Sequence, residues 1–187
     1  MAARGRPARP AVAAATGLAT LALAAAAAGG CGSDDGDANG PPAPRAGLIV
    51  PGSSIDRVAL EMSEEQVTAA LGRPAKVKRG SRAHTGDPLR TWVYPGRGLE
   101  VTLDGRTGGG HVVEVATRSP AQRTREGVRV GSTEARVARA IERAECGAGD
   151  TPSTRWCVVG DSAAGGLQTV FEVRRSRVSA VWITVVS

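Results

Sequence analysis

LEVTLDGRTGGGHVVEVAT, residues 99–117, alternates apolar and polar side chains on both sides of a glycine-rich turn. TVFEVRRSRVSAVWITVVS, residues 169–187, repeats that pattern at an offset of 70 residues. Alternation with period two is the mark of strands that bury one face. In the first stretch it places Leu99, Val101, Leu103, Val113 and Val115 inward, and Glu100, Thr102, Val112 and Glu114 outward. At the same offset Val101 and Leu103 fall on Phe171 and Val173, and Val113 and Val115 on Ile183 and Val185.

The register extends upstream. VALEMSEEQVTAAL, Val58–Leu71, lies over VRVGSTEARVARAI, Val128–Ile141, so that Val58, Leu60, Val67 and Leu71 meet Val128, Val130, Val137 and Ile141. Ser63, followed three positions later by Gln66, predicts a capping box, and Gly72 and Pro74 stop that helix. Ser132 or Thr133 caps the second helix, which turns Val137, Ala140 and Ile141 inward. Strands are then expected at RTWVYP, LEVTLD and HVVEVAT, and at RWCVV, QTVFEVRR and SAVWITVV. The expected fold class is α+β: two tandem repeats, residues 50–118 and 119–187, each a short helical segment packed on a three- to four-stranded antiparallel sheet.

The residues that carry the helix start, LEMSEEQVTAALGRP and more weakly VGSTEARVARAI, resemble the repeat of β-lactamase-inhibitory proteins and of the SmpA/OmlA group of small envelope lipoproteins. The resemblance covers nearly all of residues 50–187. It implies a binding role rather than a catalytic one: the inhibitors clasp an enzyme with an aromatic-rich concave sheet, and the envelope lipoproteins dock on partner proteins. This chain departs from the inhibitor type in having only five aromatics, Trp92, Tyr94, Trp156, Phe171 and Trp182.

The amino terminus reads as an export signal. Arg4, Arg6 and Arg9 precede the alanine-rich apolar block 11–30, which ends in Gly29 and Gly30 before Cys31. The border resembles the lipobox of bacterial lipoproteins, with Ala28 where Leu is usual, and so implies diacylation of Cys31 after cleavage. Secretion with a free Cys31 and an uncleaved anchor are the alternatives, and all three export the chain. Residues 1–30 are thus the signal peptide. Residues 31–49 are read as a flexible linker, because the stretch 32–47, with Asp34, Asp35, Asp37 and three prolines, cannot bury enough surface to fold. Two acyl chains on one residue would anchor the protein to the extracytoplasmic face of the cell membrane.

If Cys31 is lipidated, Cys146 and Cys157 remain as a pair. A disulfide closing the loop GAGDTPSTRW suits an exported protein. Metal binding by two thiols is the rival, but no second pair of ligands stands near them, and His84 and His111 are isolated. No metal and no cofactor is therefore expected.

The net charge of +6 falls to +3 without residues 1–30. All but two of the 24 basic residues are arginines scattered along the chain, so no nucleic-acid surface is expected. No nucleophile elbow, HExxH, P-loop or calcium loop occurs. His111 reads as a turn residue at a strand start, and no catalytic residue is assigned. Trp182 is the candidate contact residue: with Val181, Ile183 and Val185 inward, it points outward with Thr184, beside Glu172 and Arg174. The competing reading makes Trp182 core, through sheet-to-sheet packing or a covering loop. Trp92 and Trp156 are expected in the core.

The functional expectation is an exported, lipid-anchored envelope protein acting as a non-catalytic binding module for an extracytoplasmic protein. The alternatives are a structural or accessory subunit of an envelope assembly and, remotely, an extracytoplasmic enzyme.

Overall fold

The computed structural model describes residues 44–105 and 109–186. The expected signal peptide, Cys31 and most of the expected linker lie outside the described residues. The described chain begins with a three-stranded antiparallel meander of very short strands, β1 (Ile49–Val50), β2 (Ser54–Ile55) and β3 (Val58–Ala59). Helix α1 (Glu64–Leu71) follows, then strands β4 (Lys76–Ser81), β5 (Pro88–Tyr94), β6 (Leu99–Asp104) and β7 (Val112–Thr117). A connection leads to helix α2 (Glu134–Ala140) and strands β8 (Glu145–Ala148), β9 (Thr154–Gly160), β10 (Leu167–Arg174) and β11 (Arg177–Val185).

The expectation of two helix-on-sheet α+β units is corrected here. β4 to β11 form one antiparallel sheet of eight strands in the order β4-β5-β6-β7-β11-β10-β9-β8. The seam is the pairing of β7 with β11, in which Val181, Trp182, Ile183 and Thr184 stand opposite Thr117, Ala116, Val115 and Glu114. Two separate four-stranded sheets would each leave a row of unpaired N–H and C=O groups at that edge. Joining them satisfies both rows and merges the inner faces into one core. Phe171, Ile183, Val181, Val115, Leu99, Val101 and Leu103 are at most 1% exposed within it.

The helices contribute little mass to this mostly β protein. Each has one fully buried side chain, Val67 in α1 and Val137 in α2. Such a side chain offers about 1.5–3 kcal/mol, less than the ordering cost of a seven- or eight-residue segment at about 1–2 kcal/mol per residue. The sheet and the caps therefore hold the helices in place. Ser63 and Gln66 exchange both bonds of a capping box, and Gly72 ends α1 at φ 81°. Thr133 rather than Ser132 caps α2, accepting from the Arg136 N–H at 3.2 Å. The meander fills the middle of the inner face, where Ile49, Ile55 and Val58 are buried and β2 packs against both β7 and β11.

One inward assignment changes. Val112 is buried and Val113 only half-buried, the reverse of the sequence expectation. Between β6 and β7 the register steps from Thr102 opposite Glu114 to Leu103 opposite Val112, so Val113 is the extra residue of a β-bulge and the alternation slips by one.

Candidate functional site

The two faces of the large sheet differ in what touches them. From α1, Glu64 accepts from Arg90 of β5, and the Tyr94 hydroxyl donates to the Gly72 carbonyl at 3.1 Å. Desolvation at that position raises the Tyr94 pKa. From α2, Glu134 takes Arg155 of β9 in a two-pronged ion pair at 2.8–3.0 Å. From the meander, the Gly52 N–H donates to Thr169 Oγ1 of β10 at 2.7 Å. Arg90, Tyr94, Arg155 and Thr169 all lie on the inner face. On the outer face these contacts between described side chains lie within the sheet: Lys78 with Glu100 at 3.0 Å, Thr91 with Thr102 at 3.1 Å, and Arg174 with Glu172.

Trp182, Thr184, Glu172 and Arg174 occupy this outer face, where the sequence placed them. Trp182 stands opposite Val170, and Thr184 opposite Gln168, while Glu172 lies between Ala180 and Trp156 on its neighbouring strands. Trp182 is half-buried rather than fully exposed. Its cover is Trp156, whose ring meets the Trp182 ring edge to face at 6.2 Å and 87°. This corrects the expectation that Trp156 is core. It reaches from β9 across β10 on the outer face, whereas Trp92 points inward and is 8% exposed. Beside the two indoles Val170 is 5% and Glu172 6% exposed, low values for the open side of a sheet.

A cleft of about 400 Å³ opens alongside Trp182 over the seam. Its walls include Val93, Leu99, Ala116 and Ala180, with Glu100, Glu114 and Arg118 as the charged members. Glu100 is held by Lys78. Glu114 has no ion pair or hydrogen bond to its carboxylate among the described residues, and its pKa is raised, first by desolvation and then by the Glu100 charge. Sequence reasoning placed Glu114 outward but did not single it out. Its closeness to Trp182 comes from the β7–β11 pairing, which sets Ala116 opposite Trp182 and leaves no signal in the sequence.

Cys146 and Cys157 face each other on β8 and β9 and form a disulfide. Both cysteines sit in paired strands, so the bond closes a hairpin. Glu134 lies with both sulfurs inside 4.8 Å, but the sulfurs are bonded to each other and its carboxylate is engaged by Arg155. His111 is exposed, with Nδ1 3.0 Å from the Glu61 carbonyl, and His84 is exposed in the β4–β5 turn. Ser63, bridged to His111 across the backbone, donates its hydroxyl to Glu65 at 2.8 Å rather than to the imidazole. That bond holds the Glu65 carboxyl below its usual range. The arrangement is a helix cap at a strand end.

No known family matches the chain, and no curated protein does. Among solved structures it is similar to an extracellular protein containing an SCP domain from Bacillus anthracis, at 12% identity and a TM-score of 0.44, over 67% of this chain and 43% of that one. Overlap that loose carries no argument about fold or activity.

Proposed function

We propose that the chain is an exported, lipid-anchored envelope protein that works as a non-catalytic protein-binding module, with the outer face of its eight-stranded sheet as the binding surface. One observation carries the reading: the Trp156–Trp182 pair stands on a sheet face that no described helix or meander residue bonds to. Rigid aromatic side chains on an open face beside a cleft are the usual anchors of a protein interface. A structural subunit without a docking surface would need only a charged outer face there. The resemblance of LEMSEEQVTAALGRP to the repeat of envelope lipoproteins and enzyme-inhibitory proteins supports the same role, and the arrangement of Arg4, Arg6, Arg9, the apolar block and Cys31 supports the tether.

The test is crosslinking in the native envelope with the wild type and Trp182→Ala. Loss of the crosslinked partner with an unchanged melting curve supports the reading, and a retained partner overturns it. Cys31→Ser checks the tether by fatty-acid labelling: a labelled wild type and an unlabelled variant are expected.

A further inference from the structure

We propose that the cleft beside Trp182 receives a lysine or arginine side chain of the partner protein, with the aliphatic stem along the indole and the cationic head at Glu114. The inference rests on the binding-module reading and adds the chemistry of its partner.

Three observations lead to it. The first is an unpaired carboxylate. Glu114 sits in the cleft beside Ala116, Ala180 and Trp182, and its carboxylate has no ion-pair partner among the described residues. Withdrawing a carboxylate from water without a partner is costly, so a cation brought to this position regains that cost on binding.

The second is the distribution of charge on the outer face. Glu100, Glu114 and Glu172 stand on β6, β7 and β10, all interior strands, while Lys76 and Lys78 lie on the edge strand β4 and Arg174 at the end of β10. The chain carries a formal charge of +6, yet the middle of this face is acidic. Lys78 and Arg174 reach in only as far as Glu100 and Glu172, each already an ion pair. Arg118 at the cleft rim is exposed and pairs with neither carboxylate. Glu114 is the member of the set left for an external cation.

The third is the wall. An indole face attracts a cation, and more strongly when both are partly desolvated. Trp182 is held by its edge contact with Trp156. A cleft of about 400 Å³ with mainly aliphatic walls accommodates a four-carbon or guanidinium-tipped side chain and gives its methylenes apolar contact. Alternation from the inward Val115 puts Glu114 on this face, opposite Thr102 of β6 and Thr184 of β11, so the strand pairing aims the carboxylate here.

The experiment uses the lipidated protein in neutral phosphatidylcholine nanodiscs, labelled with fluorotryptophan and followed by fluorine NMR. Trp182→Phe assigns the resonance. The probes are the capped peptides acetyl-Gly-Arg-Gly-amide and acetyl-Gly-Lys-Gly-amide, with acetyl-Gly-Leu-Gly-amide as the uncharged control. The two cationic peptides are expected to shift the Trp182 resonance saturably, and salt to weaken them. Glu114→Gln, which keeps the side-chain shape, should weaken them by about tenfold. No shift with either cationic peptide, an equal shift with the leucine peptide, or unchanged affinity in Glu114→Gln overturns the inference. In the envelope crosslinking experiment, a partner lost on Trp182→Ala but kept on Glu114→Gln overturns the cation inference and leaves the binding-module reading standing. A partner kept on both overturns the two together.

Discussion

Val115 of β7 and Ile183 of β11 stand opposite each other across the seam of the large sheet, and both are fully buried. The pair belongs to strands far apart in sequence, so it joins the core built by β4 to β7 to the core built by β8 to β11. Val115→Ala and Ile183→Ala should each cost about 1–4 kcal/mol, Ile183 the more because it loses more volume. Because they touch across the seam, the double variant should be non-additive. Urea unfolding followed by tryptophan fluorescence and by circular dichroism should give one coincident transition. Two separated transitions would mean that the halves unfold independently.

The bulge at Val113 makes a sharper comparison between neighbours. Val112 is buried at 0% exposure and Val113 is half-buried on the outer side. Val112→Ala should therefore cost about 1–3 kcal/mol and Val113→Ala under about 1 kcal/mol. Equal costs measured by denaturant midpoint would argue that the register across Thr102 and Leu103 has been drawn wrongly.

These two sites show how far the sequence is legible. Leu99, Val101 and Leu103 announce an amphipathic strand because their environment alternates residue by residue, and the capping residues of α1 announce its start because the cap is a local interaction. β4, KVKRGS, has no such signature, since all six residues are exposed at the sheet edge and no inner face selects apolar side chains. β8, ECGA, is hidden because it is the other edge strand and only Cys146 turns toward the core, too short a run to show alternation. The seam was illegible because periodicity reports which face of a strand is buried, not which strand lies beside it. Val112 and Val113 were transposed because two valines in a row allow either phase, and only the partner strand decides between them. Trp156 went to the outer face for a similar reason: it is followed by Cys157, Val158 and Val159, a run that is apolar in both phases.

The disulfide makes a measurable contribution. Cys146 and Cys157 close a hairpin with a sequence separation of 11 residues. Under the chain-entropy account, a closed loop of this size is worth about 2–3 kcal/mol. Replacing both cysteines by serine should lower the denaturation midpoint accordingly while leaving the urea slope similar. Titration of the denatured, unreduced protein should find neither sulfur as a free thiol.

The β10–β11 turn is stabilisable. Arg175 and Ser176 both have positive φ, 50° and 62°, in a two-residue hairpin whose backbone favours Asn-Gly. The tip is held by the start of α2, where the Glu134 N–H donates to the Ser176 carbonyl at 3.3 Å. That bond uses backbone alone, so Arg175→Asn with Ser176→Gly keeps it and should raise stability by about 0.5–1 kcal/mol. A loss of stability would show that these two side chains make contacts worth more than the turn conformation costs.

Glu114 should give the protein an unusual pH response. Its carboxyl titrates above the ordinary range in the folded state because burial and the nearby Glu100 charge oppose ionisation. The folded state therefore binds this proton more tightly than the unfolded chain does. Its contribution to stability is fully present below the unfolded pKa and is lost as pH rises through the raised folded value. Glu65 acts in the opposite sense: its lowered carboxyl favours the fold at higher pH and loses that contribution on acidification, although it is fully exposed and its effect is screened. Glu114→Gln separates the two. It should stabilise the protein at neutral pH, leave it nearly unchanged at acid pH, and remove the decline in stability across the carboxylate range. The measurement is the urea midpoint of wild type and variant from acid to neutral pH. Curves that run parallel through the whole range would show that Glu114 is solvated like an ordinary surface carboxylate, and would remove the reason for a partner's cation to seek it.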